Sequence, residues 1–289
     1  MCIFCDNKLR EVIAQIGCCC DELESGAKTS NIDELRIRAY DNFTKLPKVL
    51  PKTLTNLWIE LCLNLVELDN LPPCLEDLDI DICPKLIKLP DALPLTLKNL
   101  KLDQCEKLIK LPDVLPSLLN ILCINTCNSL IRLPDVFPLS LKLLFIDQCE
   151  KLIKLPDTFP SSLTSLTLQN LPSLTKLPDT FPSSLIFLTL QNLPSLTKLP
   201  DTFPSNLSKL VISSIPKIKK LPQIEVTSKE IMIFECDHEI YEAPYFGDRE
   251  NKYLRIQKEW NENGSIPTMP VRLYMFTRDL VSKKSKMIF

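Results

Sequence analysis

From Ile32 onward the chain places its apolar residues on a fixed beat. The order L-x2-L-x-(I/L)-x2-C-x2-L-x2-L-P starts at Ile32, Leu54, Leu75, Leu97, Leu119, Leu141, Leu163, Leu185 and Leu207. The period is 22 residues, with two steps of 21, and a degraded tenth coil survives as Ile231, Ile233 and Cys236. In the L-x-(I/L) part, apolar and polar residues alternate, which is the period of a strand with one buried face. The other leucines point inward from turns, so a single coil cannot bury its apolar side alone. Stacking closes the core and makes the strands parallel. Ten coils at strand spacing predict a sheet roughly 45 Å long.

The return arm of each coil is predicted to be extended. Proline pairs four residues apart recur at Pro47/Pro51, Pro90/Pro94, Pro112/Pro116, Pro134/Pro138, Pro156/Pro160, Pro178/Pro182 and Pro200/Pro204. The second proline of each pair lacks the N–H that a helical turn would need, and it pushes the residue before it out of the helical region. No glycine lies between Ala27 and Phe246, so every turn in that stretch is made by other residues.

Cys62, Cys83, Cys105, Cys127 and Cys149 occupy one column of the repeat. Stacked thiols one strand spacing apart suggest a metal ladder, but Leu171, Leu193 and Ile215 take the same column in later coils and cannot ligate. A buried structural station, which leucine and isoleucine can also fill, fits the column better.

These residues carry a resemblance. The repeat L-P-D-x-(L/F)-P-x-S-L-x2-L-x-I-x2-C resembles the leucine-rich-repeat family over about residues 32–236. The element PDTFPSSLTSLTL is similar to the proline-rich repeats of effectors that pathogenic bacteria inject into host cells. The stretch ICPKLIKLPDALPLTLKNLKL is equally similar to the repeats of plant intracellular resistance receptors, although no G-x4-G-K-(S/T) phosphate loop of theirs is present. The 22-residue period and the cysteine column depart from the effector pattern of 20 residues and asparagine; the resemblance implies that the column holds a small buried donor to a backbone carbonyl at the turn, a role a thiol can fill weakly. The resemblance implies an α/β solenoid: a leucine-rich-repeat horseshoe with a parallel concave β-sheet, an extended non-helical convex side and a helical N-terminal cap.

The ends are read as caps. In residues 1–30, Leu9, Val12, Ile13, Ile16, Cys19, Cys20 and Leu23 form one apolar helical stripe behind Asp6 as N-cap. Residues 31–236 form the solenoid, and residues 237–289 a C-terminal cap and short tail. Within that tail Tyr253, Ile256 and Trp260 have helical spacing, and residues 271–276 look like a strand. Cys2, Cys5, Cys18, Cys19 and Cys20 allow three readings: packing of the cap helix, acylation, or a zinc site that adjacent cysteines and the lack of a nearby histidine disfavour.

On the concave face three columns project between the buried leucines. Coils two to four present Glu60, Asp77, Asp79, Asp81 and Asp103, an acidic stretch whose like charges on neighbouring strands do nothing for the fold. Trp58 lies among them. Farther along, Ile121, Cys123, Leu143, Phe145 and Phe187 are apolar on a surface that should be wet, which is how partner sites are often marked. Partner-binding residues are therefore expected to be Trp58, Glu60, Asp77, Asp79, Asp81, Asp103, Ile121, Leu143, Phe145 and Phe187. The basic residues Lys88, Lys110, Arg132, Lys154, Lys176 and Lys198 precede each L-P and have an aspartate three residues on, the pattern of a solubilising surface ion-pair ladder more than of a phosphate site. Residues 156–177 and 178–199 differ only at Thr164/Ile186 and Ser165/Phe187, both on the strand. The array is growing by duplication.

Composition narrows the function further. The 34 basic and 36 acidic residues leave a net charge of -2, without the basic excess of a nucleic-acid binder. No apolar run is long enough for a membrane span, and MCIFCDNKLR lacks the parts of a secretory signal. The sequons at Asn42, Asn206 and Asn263 then carry no meaning, and the odd total of 13 cysteines suits a reducing cytosol better than a disulfide scaffold. His238 is the only histidine, and no nucleophile elbow, zincin motif or phosphate loop occurs. The expectation is a monomeric, non-catalytic scaffold without cofactor or metal, in the cytoplasm, or in a host's cytosol if injected. Its partner is expected to be a protein, with a basic segment to meet the acidic coils. Two alternatives stand beside it: a substrate-recognition subunit of a ubiquitin ligase assembled in trans, and a lipid-anchored receptor.

Overall fold

The computed structural model describes residues 33–38, 44–46, 50–69 and 71–218, and the backbone alone of 230–236 and 272–277. The expected N-terminal capping helix at 1–30, the cysteine cluster within it, and most of the C-terminal cap lie outside the described residues. The chain divides into two compact units, Met1–Leu141 and Lys142–Phe289.

In the first unit five strands follow the repeat: β1 (Glu34–Arg38), β2 (Asn56–Glu60), β3 (Asp77–Asp81), β4 (Asn99–Asp103) and β5 (Ile121–Asn125). They pair parallel in chain order, each residue opposite its equivalent one coil on. The second unit continues with β6 (Leu143–Asp147), β7 (Ser165–Gln169), β8 (Phe187–Gln191), β9 (Lys209–Ser213), β10 (Glu230–Cys236) and β11 (Arg272–Thr277). These also pair parallel in chain order. The C-terminal segment read as strand-like is thus a further strand of the stack. No helix occurs among the described residues, so the return arms are extended, as the proline pairs dictate.

Each strand from β1 to β9 buries its second and fourth residues, and the template leucines around them are buried as well. The residue between the paired prolines also turns inward: Leu93 and Leu115, then Phe137, Phe159, Phe181 and Phe203. In the second unit the rings are in contact, Phe159 stacked on Phe181 at 6.1 Å and Phe181 tilted against Phe203 at 5.7 Å between centroids. After the arm, the carbonyl of the second proline accepts the N–H of the leucine three residues on, as from Leu97 to Pro94 at 3.0 Å and from Leu163 to Pro160 at 3.1 Å. The proline thus opens the turn that starts the next coil.

The turn after each strand explains how the chain does without glycine. Leu61, Ile82, Gln104, Thr126, Gln148, Asn170, Asn192 and Ser214 all have φ between 50° and 56°, the left-handed region that L-residues avoid. The strain is held by the ladder: the N–H of Ile82 donates to Asp103 O at 3.1 Å, that of Gln104 to Asn125 O at 3.1 Å, and that of Asn170 to Gln191 O at 3.0 Å. Such cooperative pairing can hold a single residue in a region that costs it about 1–2 kcal/mol. The cysteine column follows directly. The thiols of Cys62, Cys105 and Cys127 donate to the carbonyl two residues back at 3.5 Å, Cys83 at 3.6 Å and Cys149 at 3.4 Å. All five are buried, and none forms a disulfide. This is the backbone-donor role expected of the column. The neighbouring Cys62 thiol, and then burial, push the Cys83 thiol up, and Cys127 and burial do the same to Cys105, so neither forms a thiolate readily.

Where leucine replaces the cysteine, Asn170 and Asn192 do not supply the missing thiol bond. Asn170 Nδ2 donates instead to Asp147 Oδ1, and Asn192 Nδ2 to Asn170 Oδ1, both at 2.7 Å. The amides form a side-chain ladder along the turn. A second set of clips lies just before the first leucine of a coil: Thr96 Oγ1 donates to Leu75 O at 2.7 Å, Ser140 Oγ to Leu119 O at 2.6 Å, and Ser184 Oγ to Leu163 O at 2.7 Å. In each unit, the stacked parallel strands and inward leucines make a leucine-rich-repeat solenoid.

Candidate functional site

The side chains that alternate with the buried leucines stand on the solvent side of the strands. In the first unit the middle column runs in register through Arg36, Trp58, Asp79, Lys101 and Cys123, and beside it run Arg38, Glu60, Asp81, Asp103 and Asn125. The third column is Glu34, Asn56, Asp77, Asn99 and Ile121. All the residues expected in coils two to five therefore do share one face.

Their charges are largely spoken for within that face. Glu60 receives Arg38 and lies 3.5 Å from Arg36 Nη1. Lys101 Nζ stands 3.7 Å from Asp79 Oδ2. Asn99 donates to the Asp77 carboxylate, and Asn125 Nδ2 donates to Asp103 Oδ1 at 2.9 Å. The Arg36 guanidinium lies over the Trp58 ring at 5.3 Å, so this indole is partly covered. The sequence reading missed that local pairing, although Arg36, Arg38 and Lys101 were visible at the neighbouring stations.

Asp81 is the exception. Its Oδ1 and the Oδ1 of Asn125 are buried without a hydrogen-bond partner among the described residues. Burial, then the charges of Asp103, Asp79 and Glu60, raise the Asp81 carboxyl above its ordinary value. Burial also raises Asp79, against the pull of Lys101. Cys123 is half-buried and its thiol is pushed up, first by burial, which is the opposite of an activated nucleophile. Among the described residues no group of histidine, cysteine and carboxylate side chains has a metal-binding arrangement.

In the second unit one column runs Leu143, Ser165, Phe187 and Lys209, the next Phe145, Thr167, Thr189 and Val211, and the last Asp147, Gln169, Gln191 and Ser213. Leu143 and Phe145 are half-buried side by side on β6. Phe187 is 49% exposed, with Ser165 and Lys209 on its flanking strands. Within the second unit Phe187 lies two strands beyond Leu143 and Phe145, with Ser165 and Thr167 on the strand between, and Ile121 and Cys123 lie on β5 of the first unit. Gln169 Nε2 donates to Gln191 Oε1 at 3.3 Å along the polar border.

The basic columns behave mostly as read. Lys110, Lys154, Lys176 and Lys198 reach the aspartate three residues on at 3.1–3.6 Å, whereas Arg132 turns to Asp113 of the preceding coil. Exposed aliphatic side chains on the outer turns of the first unit went unread: Ile87, Ile109 and Ile131, and farther round Val114, Val136, Leu95 and Leu139. Comparing K-L-I-K with the S-L-T-K of later coils would have found the isoleucines, since a buried station would not accept threonine so freely.

No family model and no curated protein matches the chain. Among solved structures it is similar to YopM from Yersinia enterocolitica WA-314, at 25% identity and a TM-score of 0.46, over 70% of this chain and 46% of that one. It is similar to YopM from Yersinia pestis, a leucine-rich effector protein, at 21% identity and 0.41, over 85% and 83% of the two chains. A Shigella effector's leucine-rich-repeat domain is similar at 19% identity and 0.35, over 94% and 90%. The chain thus spans less than half of the first of these.

Proposed function

We propose that the chain is a non-catalytic scaffold that holds a partner protein against the solvent side of its strands. The observation that carries this reading is Phe187. Two nearly identical coils differ at only two residues, and one difference sets an aromatic ring, half in water, where the sibling coil has Ser165. The fold accepts serine there, so the ring serves something other than the core. Exposed aromatics bury large area at small entropic loss, which is why they serve as interface anchors. Phe145 on β6 and Trp58 under Arg36 are secondary anchors in this reading. Asp77, Asp79, Asp81 and Asp103 favour a partner that brings a basic segment to the first unit, since a positive group near Asp81 would relieve the repulsion it shares with Glu60, Asp79 and Asp103. Five buried thiols outside any disulfide fit a reducing compartment, and the proline-rich repeat resembles that of proteins injected into a host cytosol.

The test is a pair of substitutions on the full chain. Proteins retained from a lysate by the wild type are quantified against Phe187→Ser and Lys154→Ala, with thermal melting as the folding control. The reading requires that Phe187→Ser release a retained protein while Lys154→Ala, on the outer turn, keeps it. If Lys154→Ala releases it and Phe187→Ser does not, the strand face is not the binding surface.

A further inference from the structure

Coils three and four carry KLIKLP at residues 85–90 and 107–112, and coil five carries SLIRLP at 129–134. Coils seven and eight carry SLTKLP at the same stations, residues 173–178 and 195–200. Both versions fold alike. The first leucine donates its N–H to the residue three back, from Leu86 to Cys83 at 3.0 Å and from Leu196 to Leu193 at 3.1 Å, and the leucine before proline is buried in both. The solenoid thus accepts threonine where Ile87, Ile109 and Ile131 stand, and serine where Lys85 and Lys107 stand. The fold does not need these aliphatic and basic side chains.

The three isoleucines are 41%, 46% and 45% exposed. They form a straight column with half-buried Val66, because the N–H of Ile87 donates to Val66 O at 2.9 Å, Ile109 to Ile87 O at 3.2 Å, and Ile131 to Ile109 O at 3.2 Å. The residues that follow are bridged in parallel from Glu67 through Lys88 and Lys110 to Arg132. Exposed Lys85 and Lys107 line one side of the column, and exposed Lys88, Lys110 and Arg132 the other. Their own partners hold them weakly. Lys85 Nζ donates to a neutral amide oxygen of Asn64 at 2.5 Å, and Lys110 and Arg132 share Asp113 at 3.6 Å in exposed pairs that contribute little. Of the nearby acids, Glu67 is taken by Lys45, and Glu106 precedes Lys107.

We infer that this column is a docking stripe for an acidic amphipathic helix of a partner protein, laid along the direction in which the coils stack. Charge fixes the chemistry: an apolar column with cations on both sides complements an apolar stripe bordered by carboxylates. Spacing fixes the conformation. Val66, Ile87, Ile109 and Ile131 follow one another at one strand spacing, so they stand at about 0, 4.8, 9.6 and 14.4 Å. Helix positions i, i+3, i+7 and i+10 rise through about 0, 4.5, 10.5 and 15 Å. The same-face residues of an extended strand advance about 6.7 Å each and fall out of step by the third. A helix therefore sets its apolar residues against the column while its flanking glutamates reach Lys85 and Lys107 on one side and Lys88, Lys110 and Arg132 on the other. This surface is separate from the strand face, and either can hold if the other fails.

The probe is a labelled helical peptide with leucines at i, i+3, i+7 and i+10 and glutamates beside them, titrated against the full chain by fluorescence anisotropy. A matched peptide with lysines for glutamates is the control. The triple variant Ile87→Thr, Ile109→Thr, Ile131→Thr uses residues the protein already carries at Thr175 and Thr197, and its melting curve checks that it folds. The expected result is saturable binding of the acidic peptide that weakens with salt, at least tenfold tighter than the basic peptide, and at least tenfold weaker in the triple variant. Phe187→Ser should leave it unchanged. No binding to the wild type, equal binding of both peptides, or equal affinity in the triple variant overturns the inference. Two other occupants would also overturn it: a wild type that sediments as a dimer with a monomeric triple variant, or flotation of the wild type, but not of the triple variant, with phosphatidylserine vesicles.

Discussion

Two residues of the strand face and its turns show what the repeat tolerates. Asp81 sits between Glu60 and Asp103 in register, with Oδ1 buried and unbonded, and like charges directly opposite one another destabilise a sheet. Its carboxyl is raised in the folded chain, so the folded state binds a proton more tightly than the unfolded one. Stability therefore rises as pH falls from the folded value toward the unfolded one, and the penalty is fully present above the folded value. Replacing Asp81 by Asn removes the charge and gives Asp103 a donor, as Asn125 does from the other side. The expected gain is about 1 kcal/mol at neutral pH, measured by urea denaturation, and it should shrink on acidification. A gain that stays constant down to pH 3 would show that Asp81 repulsion is not its source. Gln104 tests the turn. Its φ is 50° and its side chain is exposed, so Gln104→Gly gives up no packing and relieves left-handed strain. Against the larger backbone entropy of glycine, a net gain of about 0.5 kcal/mol is expected. Glycine at Lys101, inside β4, should lose about 0.5–1 kcal/mol instead. Nothing in the sequence marked these left-handed positions, because the usual signal is glycine and here Ile82 and Thr126 hold the conformation through the ladder.

At the scale of one coil, the strand and its inward leucines were legible because their spacing is enforced twice, by the period of two along the strand and by the 22-residue return. Leu100 and Leu102, or Leu144 and Ile146, could only point inward once their neighbours stacked. What the period does not encode is the partner of each polar side chain. Arg38 with Glu60 and Asn170 with Asp147 pair across coils, so they depend on which residue happens to occupy the next rung. The same holds for the ring between the prolines. Phe159, Phe181 and Phe203 make a continuous row of touching rings in the second unit, where Leu93 and Leu115 fill that place in the first. Phe181→Ala should cost about 3–5 kcal/mol, because it leaves a cavity between two rings that cannot follow it. Phe181→Leu, which copies the earlier coils, should cost under about 1.5 kcal/mol. Hydrogen exchange should place the lost protection on β7, β8 and β9, since each coil contacts mainly its neighbours. Uniform loss across the chain would mean the coils unfold as one block.

For the molecule as a whole, the repeat separates what the fold needs from what a partner needs, because equivalent stations can be compared inside one chain. Only Phe187 among the expected apolar residues stands well out in water, and the exposed Ile87, Ile109 and Ile131 lie on the turns that were read as an ion-pair ladder. The near-perfect duplication allows a controlled experiment. Deleting residues 156–177 leaves a single copy with Ile186 and Phe187, and deleting 178–199 leaves the same copy with Thr164 and Ser165. The two shortened proteins have equal length, keep the register of every remaining coil, and differ only at the first residue of the strand and the residue just before it. Solenoid stability is close to a sum over coils and their interfaces, so both should unfold at lower but nearly equal urea midpoints. If the strand face is the binding surface, the protein that keeps Phe187 should retain the partner. The one that keeps Ser165 should lose about 2 kcal/mol or more of binding, roughly thirtyfold in Kd, as expected of an anchoring aromatic. Equal retention by two equally folded proteins would place the partner away from Phe187. Loss from both would show that the partner reads the number of coils, and with it the length of the face.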